Sequence, residues 1–168
     1  LEARYGIDQP LPLQYLRYLG NMARGDFGVS FTQQNREVND IIREHFPVSA
    51  LLGVLAIGFA ALGGVFWGVI TARTAGRWPD AVVMFLVVLC ISVPGFVLAA
   101  LAQLALLRLN AWAGISLLPV AGWGSLAHML APAMVLGLGT MAFLTRLMRT
   151  SMLEVRGADF VRTARAKG

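Results

Sequence analysis

The 168-residue chain is poor in charge: Asp, Glu, Lys and Arg make up 14% of it, while 57% is hydrophobic. Soluble domains carry about 25% charged and about 45–50% apolar residues, so the shortage argues against a water-soluble fold and against disorder. Cysteine is nearly absent. Cys90 alone excludes a disulfide framework and a multi-cysteine zinc site. No GxxxxGK[ST] pattern is present, so the chain carries no phosphate-cradling loop of its own. Acidic residues are scarce beyond Phe46, where only Asp80, Glu154 and Asp159 stand against eight Arg and one Lys. Residues 1–46, with five Arg and six acids, are close to neutral. The net charge of +5 therefore gathers at a few places, which suits a membrane protein with one basic side better than a nucleic-acid binder.

Three charge-free tracts set the architecture. Phe46–Ala72 and Ala81–Leu107 each run 27 residues, and Leu109–Thr145 runs 37. About 20 apolar residues cross a hydrocarbon core of about 30 Å, so the first two tracts predict one span each, near 47–72 and 81–107. The third is interrupted by Asn110, Pro119, Gly122, Gly124 and Ser125. Its span is predicted over 126–145, with 109–125 as a connection at the opposite surface. Buried helices of a large soluble core would show a polar face, and these tracts have almost none. A signal peptide is excluded because the segments are internal and too long.

Three spans alternate sides, which puts 73–80 and 146–168 together and 1–46 with 109–125. The first pair holds most of the basic residues, and the positive-inside rule makes it cytoplasmic. Residues 1–46 then lie outside the cytoplasm with nothing ahead of them to carry them across. The chain is accordingly expected to be a fragment, with at least one span before Leu1 and more chain after Gly168.

In the outer segment, Leu13, Leu16 and Leu19 recur at helical spacing and predict a short amphipathic helix over 12–24. Gly25–Ser30 reads as a turn into an extended stretch, and a second amphipathic helix is predicted from about Val38. In the tail, Leu147–Val155 continues the last span as a helix. Gly157-Ala158-Asp159 then breaks it, with Asp159 as N-cap of a new short helix. That helix carries Val161, Ala164 and Gly168 on one stripe and Arg162 and Arg165 as i, i+3 neighbours, a pattern suited either to a partner's groove or to anionic headgroups.

The residues Arg149–Val155 and Asp159-Phe160-Val161-Arg162-Thr163-Ala164-Arg165-Ala166-Lys167-Gly168 closely resemble the cytoplasmic EAA loop of dipeptide/oligopeptide ABC transporter permeases. Arg162, Thr163 and Ala164 occupy the Glu-Ala-Ala triplet and Gly168 its Gly. The first two depart from the general pattern and match the Arg-Thr-Ala of the peptide-importer branch. Tyr5–Pro12, Gly25-Asp26-Phe27-Gly28, Ser92–Phe96 and Leu118-Pro119 with Gly122 resemble the same family in the expected order.

The resemblance implies an all-α membrane protein, a multi-span helical permease of the type I ABC importer kind, here a fragment of about three spans plus the coupling loop. It would sit in the bacterial inner membrane and beside a second permease in a heterodimer. A periplasmic binding protein would deliver a peptide, or a related solute such as nickel, and two cytoplasmic ATPase subunits would hydrolyse ATP. This chain would bind no cofactor, metal or nucleic acid and would not itself be an enzyme. The coupling residues implied are Asp159, Arg162, Thr163, Ala164, Arg165, Ala166, Lys167 and Gly168: small Ala164 and Ala166 for close approach, Gly168 for a tight exit, and the basic residues to pair with acidic groove residues or lipid.

Inside the membrane, Gly64 and Gly68 form a small-xxx-small ridge for helix packing. Pro94 and Gly95 should bend or unwind their span, either to line the translocation path or to improve packing. His128 reads as an interfacial residue without a metal-spaced companion, and Cys90 as a small apolar residue. The rival classes are an ion-coupled secondary carrier, which would show buried charges or inverted repeats, and an intramembrane enzyme, for which Ser92 and His128 are candidates by residue type only.

Overall fold

A computed structural model describes residues 10–33, 36–116, 118–122 and 124–168, so the Tyr5–Gln9 part of the family-like segment lies outside the described residues. Six α-helices occur among them: α1 Leu11–Ala23, α2 Val38–Arg73, α3 Trp78–Ser92, α4 Gly95–Ala113, α5 Leu126–Gly157 and α6 Asp159–Ala166. No strand is formed among the described residues beyond one isolated bridge between Val29 and Glu37. The chain divides into two compact units, 1–50 and 51–168, with α2 contributing to both.

In the first unit, α1 begins after Pro10 and carries Pro12 in its first turn, where the missing N–H would have had no helical partner. Its apolar residues are exposed. The chain then turns through Gly25 and Gly28, both at positive φ (82° and 76°) that a side chain would resist. Asn39, at the start of α2, clasps this turn: its Nδ2 donates to the Gly25 carbonyl and its Oδ1 accepts the Phe27 N–H. Asp26 closes the turn by accepting the Gly28 N–H at 2.9 Å. The helix predicted from Val38 does not end before the first apolar tract. It runs on through Pro47 as one 36-residue helix. Pro47 removes only the bond to the Arg43 carbonyl, one that the helical turns on either side can do without.

The second unit is built on small residues. Ala56, Ala60, Gly64, Gly68 and Ala72 recur every fourth position of α2 and are all buried. They face Gly137 and Thr145 of α5, which are buried too. A Cβ at Gly137 would lie 2.7 Å from the Ala56 carbonyl oxygen, one at Gly64 would lie 2.5 Å from Leu144 Cβ, and one at Gly68 would lie 2.5 Å from Met148 Cβ. The pairs advance in the same sense along both helices, so α2 and α5 run parallel. Close backbone approach of this kind is how apolar helices associate where lipid is as apolar as Leu. The two buried hydroxyls are satisfied locally: Thr71 donates to the Trp67 and Gly68 carbonyls, and Thr145 to that of Met141.

Three helices, α2, α4 and α5, are long and apolar enough to cross a membrane, and α3 is a shorter apolar helix. The chain is an all-α membrane protein. Its 81–107 tract is not one helix: α3 stops at Ser92 and α4 starts at Gly95. Pro94 drives its predecessor out of the helical region, and Val93 is extended at φ −86°, ψ 128°. The Pro94 carbonyl then accepts the Val97 and Leu98 N–H groups and starts α4. That helix continues through Arg108 and Asn110 to Ala113, beyond the limit of 107 that the charge suggested, and ends on Gly114 in the left-handed region. Asn110 is absorbed by donating to the Leu118 carbonyl at 2.9 Å.

Candidate functional site: the tail helix and the wall it is tied to

Helix α5 continues unbroken from Leu126 to Gly157, about 48 Å at 1.5 Å per residue, far more than a bilayer core requires. A single residue, Ala158, joins it to α6. Ala158 is extended (ψ 143°) and is itself the N-cap of α6. Asp159 is therefore the first residue of the helix rather than its N-cap, and no side chain caps that end. Its carboxylate still favours the helix electrostatically from the first turn.

Asp159, Arg162, Thr163, Ala164, Arg165, Ala166, Lys167 and Gly168 are all exposed, and Val161 is half-buried. Arg162 and Asp159 approach to 3.9 Å with side chains 78% and 98% exposed, a pair of little energetic weight. Thr163 returns its hydroxyl to the Asp159 carbonyl. Gly168 has φ +88°, and it follows Lys167, which closes the helix. A short helix with Ala164 and Ala166 uncovered, basic side chains beside them and Phe160 67% exposed can enter a groove.

Sequence reasoning missed what lies behind this helix. Arg149 grips Asp80 with both arms of its fork, Nε to Oδ1 and Nη2 to Oδ2, each at 2.7 Å. The Asp80 side chain is 7% exposed and that of Arg149 25%. The Gly76 N–H adds a third bond to Asp80 at 3.0 Å. Asp80 precedes the apolar tract, and the Arg149 hydrogen bonds hold its carboxyl below the ordinary value against the opposing effect of burial, with Gly76 assisting. Two turns further along α5, Arg156 donates to the Ala72 carbonyl at 2.9 Å. The 69-residue separation of Asp80 from Arg149 left no local signal. An acid in a nearly acid-free half of the chain was the one available hint.

At the Pro94 break lies a cavity of about 640 Å³ lined by Cys90, Val93, Gly95, Phe96, Gln103 and His128 among others. Gly95 faces it. Gln103 and His128 supply polar side chains, and neither was assigned to a cavity from sequence. His128 Nδ1 lies 2.8 Å from Ser125 Oγ. Among the described residues no three His, Cys, Asp or Glu side chains gather as metal ligands. Gly64 and Gly68 lie apart from this cavity, in the α2–α5 contact.

A long helix turned back by one residue into a basic, small-residue tail helix is the geometry on which the comparison with known proteins falls. The family model described as "Binding-protein-dependent transport system inner membrane component" matches residues 64–168. The chain belongs to this family. It is 43% identical to the dipeptide transport system permease protein DppB of Bacillus subtilis over 170 aligned residues, covering all of this chain and 53% of that protein. It is 40% identical to the oligopeptide transport system permease protein OppB of Escherichia coli and 39% to that of Haemophilus influenzae, again over its whole length and 54% of each. The chain thus spans about half the length of the curated relatives it matches. The family match takes in α3, α4, α5 and α6 whole, and it includes both residues of the Asp80–Arg149 pair and the entire cavity lining.

Proposed function

We propose that the chain forms part of a permease subunit of an ATP-driven importer that carries di- and oligopeptides across the bacterial inner membrane. The observation that carries this reading is similarity along the whole chain to dipeptide and oligopeptide permeases, ending in an uncovered basic helix. Residues 73–80 and 146–168 face the cytoplasm, and 1–46 and 109–125 face the periplasm. Parallel α2 and α5 with a single crossing, α3 and α4, between them fit that alternation. Residues 159–168 dock in a groove of an ATPase subunit, with Ala164 and Ala166 against its wall and Arg162, Arg165 and Lys167 at its rim. Two ATPases, a second permease chain and a periplasmic binding protein complete the machine, and ATP is bound and hydrolysed by the ATPases alone. The cavity beside Pro94 is the part of the path that this chain contributes.

The test is uptake in a peptide auxotroph lacking redundant peptide transporters. Deletion of the gene should abolish growth on di- to tetra-alanine, and vanadate-type inhibition of ATP hydrolysis should do the same in the parent. Uptake of all these peptides unchanged in the deletion strain would refute peptide import. Loss of nickel accumulation in its place would reassign the cargo, and uptake that ran on an ion gradient without ATP would refute the energy source.

A further inference from the structure

Helix α3 is held in an unusual way. Of its 15 residues only Asp80 and Val87 are buried, and α3 packs against α5 rather than inside a core. Its first turn is gripped by Arg149 through two parallel bonds, and its last turn ends at the Val93–Pro94 break. The far end of α3 is also a wall of the cavity, through Cys90, and Val93 just beyond it lines the cavity too. On the other side, Arg149 stands on the same continuous helix whose end is joined to α6 by Ala158 alone. Arg156, two turns closer to that joint, holds the Ala72 carbonyl near the end of α2. The prolongation of α5 is thus bonded to both sides of the 74–77 turn.

From this arrangement we infer that the Asp80–Arg149 pair is a positioning link that carries displacement of the tail helix into α3 and so reshapes the cavity at the Pro94 break. The inference rests on the reading of residues 159–168 as an ATPase-docking helix. A planar guanidinium bonded twice to a carboxylate fixes direction as well as distance, which one flexible bond does not. A rigid helix pulled at one end and interrupted at the other pivots about its interruption. Val93, extended and outside either helix, supplies the pivot, and hinges of this kind need only a few residues between elements. Arg156 on the Ala72 carbonyl restrains α2 over the same stretch, so that the pull is delivered to α3 rather than lost in a sliding of the whole end. Neither Asp80 nor Arg149 touches the cavity. They act through α3.

The experiment uses the full-length permease reconstituted in proteoliposomes with its second permease chain, both ATPases and the binding protein, with trialanine as cargo. The quantity read is trialanine imported per ATP hydrolysed. Arg149→Lys keeps the charge and removes the fork; Asp80→Asn keeps the shape and removes the charge. Each should retain the ATPase subunits on purification and hydrolyse ATP at near wild-type rate, while import per ATP falls about tenfold. Because the two residues form one link, the double variant should be no worse than either single. A merely structural pair would lower the yield of folded transporter and reduce import and ATP hydrolysis together. An unchanged import-per-ATP ratio in Arg149→Lys, at whatever yield, overturns the inference and leaves the function standing. Wild-type proteoliposomes that import no trialanine with ATP would overturn the function and this inference with it.

Discussion

The contact between α2 and α5 can be probed one methyl group at a time. A Cβ at Gly64 would stand 2.5 Å from Leu144 Cβ and 3.2 Å from the Met141 carbonyl oxygen. Carbon atoms rest about 3.5–4.0 Å apart, so the helices would have to part by about 1 Å. Leu144 Cβ is fixed to its backbone and cannot swing aside. Overpacking of this kind costs about 1–3 kcal/mol. Replacing a helical Gly by Ala returns about 1 kcal/mol in propensity, which leaves a net cost of about 0–2 kcal/mol for Gly64→Ala. Gly58, on the same helix with nothing within 4 Å of its Cβ position, isolates the propensity gain. Gly58→Ala should be neutral or stabilising. The difference between the two variants is then the packing cost alone, about 1–3 kcal/mol, read as a midpoint lower by a few °C for Gly64→Ala. Thermal unfolding of the full-length protein in detergent reads it directly. A Gly64→Ala midpoint equal to or above that of Gly58→Ala would refute the close contact and the parallel register drawn from it.

Two further outcomes concern the tail and the orientation. Ala164→Trp should abolish co-purification with the ATPases and peptide uptake together while membrane insertion stays normal, and Gly168→Val, which forces a branched side chain toward φ +88°, should do so in part; wild-type levels of both in Ala164→Trp would return the tail to a lipid-facing role. In a Cys90→Ala background, a cysteine in place of exposed Phe31 should react with an impermeant reagent from outside and one in place of Thr74 should not, and the reverse pattern would invert the topology.

Much of the fold could be read from where charge is missing, because the cost of a charge in hydrocarbon outweighs most local preferences. The interruption at Pro94 was equally open to reading, since a ring that lacks an N–H and excludes helical φ/ψ from its predecessor acts on its own neighbours. The Gly64/Gly68 ridge was visible as two positions, but its extension through Ala56, Ala60 and Ala72 was not, because alanine is as ordinary in an exposed helix as in a tight contact. The helix from Val38 and the span near 47–72 read as separate elements, yet they are one helix, because the turns on either side of Pro47 carry it across the proline. Asp159 looked like a cap because its type fits one, yet the chain turned a residue earlier. The Asp80–Arg149 pair belonged to no pattern at all. Its two members, counted as loop and tail charges, become a site only when α3 and α5 lie side by side.

The gap between α3 and α4 has a consequence for the cavity beside it. Where one helix ends and another starts, the last carbonyls and first N–H groups have no helical partners. Within a bilayer such groups are tolerated only against protein or beside water. Cys90, Val93, Gly95 and Phe96 put the residues of this break on the cavity wall. Main-chain groups freed at the break can therefore supply part of the cavity's polarity beside the side chains. Substitution of the residues around it can change its bulk and its apolar lining, but that share of its polarity moves only if the break itself moves, and Pro94 holds the break in place.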